Sequence, residues 1–215
     1  VAKKDGHWHL GINPREQTVR LKLMVGSMPA AQSDRFLAAA GKVSPAEALS
    51  RSTAGGPPRH PNPLVTSGTI GKEKGPYVLD TITPPFDNPD KILFRFGGHD
   101  FFSNGDIAVC SIDGDVWRVS GIDQELQKMT WRRYATGLFQ PLGLKIVDDR
   151  VHVLGRDQIP RLHDLNGSGE ADFYECFNNG CRIGKHVHEY ATGLETDPEG
   201  NFYYVKGHGA NNEHA

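Results

Sequence analysis

The sequence lacks the features that mark membrane proteins, nucleic-acid binders and several common enzyme classes. No apolar run approaches the ~20 residues that a membrane-spanning helix needs, so we predict no membrane span. The 24 Lys and Arg nearly balance the 26 Asp and Glu, and this formal charge of −2 predicts no nucleic-acid partner. No G-x-S-x-G, P-loop or H-E-x-x-H motif occurs, which argues against the commonest hydrolases, nucleotide-binding proteins and zinc proteases.

Cysteine is also scarce, with three in 215 residues. Cys176 and Cys181 bracket a short FNNG segment and are spaced to close a small disulfide loop in an oxidising compartment. A zinc-binding pair is the less favoured alternative, because no second pair completes a site. Cys110 lies in an alternating segment and is interpreted as a small buried hydrophobe. The absence of C-x-x-C-H excludes covalent haem attachment to these residues.

Glycine and proline are abundant, with 25 and 14 residues, and this composition suits a loop-rich β protein. We predict a small α/β or β-rich N-terminal domain over 1–75, whose Pro/Gly-rich end is either a linker or a strap across a domain surface. Within it, 18–25 (TVRLKLMV) alternates like a strand and 34–41 (DRFLAAAG) predicts a short helix. Residues 44–47 (SPAE) have the pattern of a helix start.

Residues 76–215 repeat one structural plan. Three segments share a polar turn, an alternating strand and a break: 104–119, 148–162 and 199–207. Aligning Ile107, Val151 and Phe202 gives offsets of 44 and 51 residues, a period typical of β-propeller blades. A YATGL sequence also occurs twice, at 134–138 and 190–194. A series of unrelated hairpins is the alternative interpretation.

We therefore predict a mainly β fold in which 76–215 forms about two to three blades of a β-propeller. Propellers close with about four to eight blades, so we expect further blades outside this chain. The chain begins with Val1 rather than Met and shows no signal peptide, which we interpret as a processed or excised piece of a longer protein.

The segment 164–175, DLNGSGEADFYE, has the spacing of a calcium-binding loop. Oxygen-bearing side chains stand at positions 1, 3, 5, 9 and 12, and Gly169 at position 6 permits a sharp turn. The flanks are strand-like, so we expect a strand–loop–strand rather than a pair of helices. A solvated turn without metal is the alternative. The predicted ligands are the side chains of Asp164, Asn166, Ser168, Asp172 and Glu175, and the backbone carbonyl of Glu170.

Several long phrases carry a resemblance to a known family, over about residues 76–207. They are PYVLDTITPPFDNP, FGGHDFFSNGDIAVCSIDGDVWRVSGID, WRRYATGLFQPLGLKIVDDRVHVLGRDQIPRLHDLNGSGEADFYE and HEYATGLETDPEGNFYYVKG. The chain resembles large secreted proteins of planctomycetes and related bacteria, often labelled membrane-bound dehydrogenase-like or haem-binding-domain proteins. Their propeller is similar to that of soluble quinoprotein glucose and aldose dehydrogenases, a ring of about six blades that uses pyrroloquinoline quinone (PQQ) and Ca²⁺.

This resemblance implies a periplasmic, secreted or cell-surface protein whose partners include downstream blades and a cytochrome domain. It also implies a quinone-dependent dehydrogenase acting on a sugar or polyol. His188 matches the histidine that abstracts the hydroxyl proton in those enzymes, a task suited to the pKa of imidazole. The spacing is about one residue longer than the enzymes' pattern, and EGNFYYVKG replaces their acidic-glycine turn and threonine-bearing strand. Arg156 is predicted to hold a carboxylate or the quinone, with a local salt bridge as the alternative.

A second functional hypothesis assigns the propeller no catalytic activity. The same propeller can serve as a carbohydrate- or protein-binding scaffold inside a multidomain cell-surface or electron-transfer protein, and His188 is then an ordinary loop histidine. Fold resemblance does not establish catalysis, so the sequence leaves both hypotheses open.

Overall fold

The computed structural model of the protein describes residues 2–14, 16–47, 55–181, 183 and 188–207. Contacts within the chain divide it into two compact units, Val1–Ala54 and Gly55–Ala215. The sequence predicts a boundary after residue 75, whereas the contacts group residues 55–75 with the second unit.

The first unit contains a short hairpin and a short helix. Strands β1 (Ala2–Lys4) and β2 (His7–His9) pair in antiparallel orientation around a turn whose two central residues both have positive φ. A 3-10 turn, Ala30–Gln32, leads into helix α1 (Ser33–Ala40), which confirms the predicted helix. No helix in the described part of the chain is long and apolar enough to cross a membrane.

The strand predicted over 18–25 does not form, and that prediction is wrong. The two described strands of this unit, β1 and β2, pair with each other and not with 18–25, so the alternating side chains of 18–25 belong to no sheet. Leu23 and Val25 are consequently 67% and 85% exposed. The predicted helix start at 44–47 is irregular as far as it is described, and residues 48–50 lie outside the described residues.

The second unit is built from antiparallel sheets, which confirms a mainly β fold. Its described strands are β3 (Leu64–Thr66), β4 (Phe96–Phe101), β5 (Ile107–Ser111), β6 (Val116–Ser120), β7 (Met129–Ala135), β8 (Gly143–Val147), β9 (Arg150–Leu154), β10 (Ile159–His163), β11 (Phe173–Asn178), β12 (Ala191–Thr196) and β13 (Phe202–Lys206). The first sheet has the order β3-β7-β6-β5-β4, the second is the meander β8 to β11, and the third is the pair β12-β13. None of these sheets closes on itself.

The sequence repeat corresponds to a structural repeat only in part. Ile107, Val151 and Phe202, aligned from sequence, lie on β5, β9 and β13, each the second strand of its meander. The two YATGL copies are not equivalent. The first overlaps the end of β7, which lies between β3 and β6, whereas the second overlaps the first strand β12 of its sheet.

The sheets stack face to face because alternate side chains of the middle strands are apolar on both faces. On β5, Ala108 and Cys110 face the second sheet, while Val109 faces the opposite side, where residues before β4 pack. Cys110 is fully buried, as predicted. A third, smaller cluster joins the second and third sheets through Leu154 and Leu194. The order along the stack is therefore first, second, third.

The first strands of the three meanders, β4–β7, β8–β11 and β12–β13, pack against one another, β4 against β8 and β8 against β12. Glycine makes this approach feasible. A Cβ atom on Gly98 would lie 2.7 Å from the backbone nitrogen of Leu144, and one on Gly143 would lie 3.0 Å from that of Leu194. Side chains at these two positions would force the sheets apart, since real Cβ contacts are longer.

Candidate functional site

The predicted calcium-binding segment forms the loop between β10 and β11, so the strand–loop–strand prediction is confirmed. Two backbone hydrogen bonds fix its C-terminal end. The N–H of Asp172 donates to the carbonyl of His163 at 2.9 Å, and the N–H of Ala171 donates to the carbonyl of Tyr134 at 2.7 Å. Because Tyr134 lies on β7, the loop is attached to the first sheet as well as the second.

The first half of the loop is held by its own carboxylate and amide oxygens. Asp164 accepts hydrogen bonds from the backbone N–H of Ser168 at 2.9 Å and from that of Gly169 at 2.7 Å. The Oδ1 atom of Asn166 accepts from the same Ser168 N–H at 2.9 Å. Gly169 has φ +82°, which explains why glycine is needed there. The oxygens at positions 1 and 3 therefore face the same side of the turn.

The second half of the loop is hydrogen-bonded to the first half. Asp172 accepts a hydrogen bond from the N–H of Leu165 at 2.9 Å, so its carboxylate reaches back across the loop. The hydroxyl of Ser168 lies 3.3 Å from the carbonyl of Glu170. Asp164, Asn166, Ser168 and Asp172 thus bring hard oxygen donors into one small loop, the kind of donor set that suits Ca²⁺.

Glu175, the predicted twelfth-position ligand, lies elsewhere. It belongs to β11 and forms two hydrogen bonds with Arg161, at 2.7 and 2.8 Å, and one with His163 at 2.7 Å. The bonds from Arg161 and then His163 lower the pKa of Glu175 from 4.5 to about 2. In the described part of the chain no three His, Cys, Asp or Glu side chains are grouped to hold a metal, so a cation here would depend on amide, hydroxyl and carbonyl oxygens too.

Glu170 has a role that the sequence did not predict. Its side chain is buried and turns away from the loop, where it accepts hydrogen bonds from the backbone N–H groups of Arg59 and His60. The amide nitrogen of Asn166 donates to the carbonyl of Gly56 at 3.0 Å. We call residues 55–60 the strap. These contacts join positions about 110 residues apart in sequence.

The residues predicted for a quinone enzyme, Arg156 and His188, do not complete a cofactor site among the described residues. The guanidinium of Arg156 lies 5.8 Å from the ring centre of Phe139 and 5.2 Å from that of Tyr190, and it donates to Gln140 at 3.0 Å. His188 is exposed, two residues before Tyr190. A tricarboxylate quinone needs several cations, so this single engaged guanidinium does not fit it by itself.

A charged cluster across the first strands was also missed. The Nζ of Lys145 on β8 lies 2.8 Å from Glu195 on β12 and 3.5 Å from Asp100 on β4. The hydrogen bond to Glu195 and the charge of Asp100 raise the pKa of Lys145. Asp100 also accepts from the N–H of Ile146 at 2.9 Å. The one sequence signal was a lysine inside the otherwise apolar GLKIV strand.

All three cysteines are free thiols: Cys110 and Cys181 are buried and Cys176 is exposed. The disulfide considered for Cys176 and Cys181 is therefore not formed in this structure. Burial raises the pKa of Cys110 to about 11.

Fold and site together define a mainly β protein of stacked antiparallel sheets with one oxygen-lined loop between the last two strands of its second sheet. No protein-family model, curated protein or solved structure matches the chain.

Proposed function

We propose that the second unit consists of consecutive β-propeller blades from an extracytoplasmic protein of the planctomycete type, acting as a calcium-stabilised binding scaffold. Three features support the propeller. Strands β4–β7 and β8–β11 form sequential meanders, the sheets stack face to face, and β4, β8 and β12 lie side by side, as inner strands do around a propeller axis. In this arrangement the Lys145 cluster lines the axis, and a carbohydrate or a protein surface is the ligand of the assembled ring.

The convergence of loop oxygens carries the calcium part of the proposal. Asp164 and Asp172 supply carboxylates, whereas Asn166, Ser168 and the carbonyl of Glu170 supply neutral oxygens. A site with only two carboxylates should bind Ca²⁺ weakly, because Ca²⁺ affinity depends on the charge and rigidity of the ligand set. We therefore expect a Kd of about 10⁻⁴–10⁻³ M, the range of extracellular calcium modules. A site of this affinity would fill outside the cytoplasm, in keeping with the periplasmic, secreted or cell-surface location that the resemblance implies.

Calorimetric titration of the whole chain with Ca²⁺ tests this proposal. We expect saturable binding in that range, and Asp164→Asn should weaken it by roughly tenfold or more because one charged ligand is lost. The matched control is Asp197→Asn. Asp197 also accepts backbone and side-chain hydrogen bonds in an exposed acidic turn, from Asn201, but is not part of the loop. Equal affinities for the wild type and Asp164→Asn, or no binding at all, would refute the calcium site.

The quinone-dependent sugar or polyol dehydrogenase is the second candidate function. One observation favours it: the guanidinium of Arg156 lies 5.2 Å from the ring centre of Tyr190, and His188 precedes Tyr190 by two residues in the sequence. This candidate requires further cationic residues to hold PQQ. A PQQ titration in the presence of Ca²⁺, followed by sugar-driven dye reduction, tests it directly. Quinone binding with dye reduction that His188→Ala abolishes would support the enzyme, and absence of quinone binding would leave the scaffold.

A further inference from the structure

The strap and the strand β3 that follows it are together attached to the second and the first sheet. At one end the backbone of the strap is held by Asn166 and Glu170 of the loop, which belongs to the second sheet. Further along, the same segment enters β3, which pairs with β7 at the outer edge of the first sheet. Trp131 on β7 also donates to the hydroxyl of Thr66 at 2.9 Å. The segment 55–66 therefore bridges the outer edges of two neighbouring sheets.

The loop contacts of the strap are specific. Glu170 is 5% exposed, and its carboxylate satisfies two consecutive backbone N–H groups and also lies 3.5 Å from Nε of Arg59. A buried carboxylate without such donors is strongly disfavoured, so Glu170 and the strap depend on each other. Gly55 has φ +73°, and a Cβ atom there would collide with the amide of Asn166. Strap and loop thus fit closely at both ends of the contact.

Two loop residues serve both the strap and the candidate cation site. Asn166 directs Oδ1 towards the loop interior and Nδ2 towards the carbonyl of Gly56. Glu170 directs its carbonyl towards Ser168 and its carboxylate towards Arg59 and His60. In both Asn166 and Glu170 one oxygen faces the loop and another polar atom faces the strap. When the atom that faces the loop is held in place, the torsions that position the atom facing the strap are restricted. Ordering of the loop should therefore order the strap, and ordering of the strap should order the loop.

We propose that cation binding in the β10–β11 loop and docking of the strap are thermodynamically coupled, so that the strap is a calcium-dependent clasp between the first and second sheets. This inference rests on the proposed calcium site. Because binding linkage is reciprocal, Ca²⁺ should stabilise the docked strap, and the docked strap should raise the affinity for Ca²⁺ by the same factor. Couplings of this kind are typically about fivefold or larger.

The first measurement is hydrogen exchange at the amides of Arg59 and His60 in the intact chain. We expect both amides to exchange at least about fivefold more slowly with saturating Ca²⁺ than with a chelator. Exchange at the amide of Ala108, on the central strand β5, serves as the internal reference for global stability.

The second measurement changes a strap residue and leaves the sequence of the loop intact. Gly55→Ala should undock the strap, and coupling then predicts a Ca²⁺ Kd at least about fivefold higher. Gly56→Ala is the matched control, because a Cβ atom there meets no atom within 4 Å and the affinity should not change. Glu170→Gln weakens the same contact from the loop side, with its carbonyl retained, and should raise Kd in the same direction.

The outcomes separate this inference from the calcium site itself. If the wild type does not bind Ca²⁺, the proposed calcium site fails and the coupling fails with it. If Ca²⁺ binds but the Arg59 and His60 amides exchange equally with and without it, the calcium site stands and the clasp is refuted. Equal Kd values for the wild type, Gly55→Ala and Glu170→Gln refute the clasp as well.

Discussion

Both units of the chain contain alternating apolar residues, but their burial differs. Leu21 and Leu23, in the first unit, are 48% and 67% exposed, whereas Val151 and Val153, in the second, are 1% and 0% exposed. Among the described side chains of the first unit none is buried. The difference lies in pairing, because 150–154 has antiparallel neighbours on both edges and 18–25 has none among the described residues. Alternating apolar residues form a strand only where another strand pairs with them and another layer of the protein covers their apolar face.

Truncating one leucine in each unit should give the largest contrast. Leu162→Ala removes a fully buried side chain between the first and second sheets and should lower the free energy of unfolding by about 2–5 kcal/mol. Leu23→Ala, at an exposed position, should change it by no more than about 0.5 kcal/mol. Urea titration followed by the fluorescence of the buried Trp117 and Trp131 measures both. Similar effects would contradict the proposed difference in burial.

A glycine pair sharpens the same comparison. Gly98→Ala places a Cβ atom against backbone between β4 and β8, so we expect a loss of about 1–3 kcal/mol in the free energy of unfolding. Gly11→Ala, in the first unit, meets no atom within 4 Å and should be close to neutral. The same urea titration applies. A neutral Gly98→Ala would show that the first strands do not approach this closely.

A lysine pair should give a smaller contrast. Lys145→Gln removes a charge held between Asp100 and Glu195 and should cost about 1 kcal/mol, near the upper end for partly exposed ion pairs. Lys22→Gln, whose exposed ammonium donates to Ser44, should have no measurable effect. Raising the salt concentration should reduce the Lys145 effect, since screening weakens the pairing. An effect that salt leaves unchanged would argue against an electrostatic role.

Thiol labelling tests the packing of the second unit without any substitution. At pH 8 the native protein should react with a disulfide reagent at Cys176 alone, and all three cysteines should react once the protein is unfolded. Cys110 is protected by burial and by a pKa of about 11. Rapid native labelling of Cys110 would contradict the packed core. Labelling of one thiol in total after unfolding would indicate a Cys176–Cys181 disulfide.

Local pattern was enough to predict much of the second unit. The turn-strand-turn segments around Ile107 and Val151 became hairpins in the expected positions, because tight polar turns between alternating strands determine pairing over short distances. The two copies of YATGL do not occupy equivalent positions, because the structure of a short identical sequence depends on its neighbours. One copy follows a strand that pairs with β6, and the other begins a new sheet.

The strap could not be predicted because its contacts are long-range and involve single residues. Glu170 was assigned to the loop by its backbone alone, and nothing in the sequence connects it with Arg59 about 110 positions earlier. The close approach of Gly98 to Leu144 likewise depends on how two sheets stack. Asp164 and Asp172 both accept backbone hydrogen bonds within the loop that the spacing indicates, whereas Glu175 forms a pair with Arg161 that the spacing does not encode.

Thermal unfolding of the second unit with Ca²⁺ and with a chelator tests the central claim most directly. A ligand that binds the native state alone, at a free concentration of about ten times Kd, adds about 1.4 kcal/mol to its stability. We predict an increase of this size for the wild type and about 0.4 kcal/mol or less for Asp164→Asn, whose Kd is expected to be at least about tenfold higher. Identical unfolding curves for the wild type with and without Ca²⁺ would contradict a calcium-stabilised scaffold.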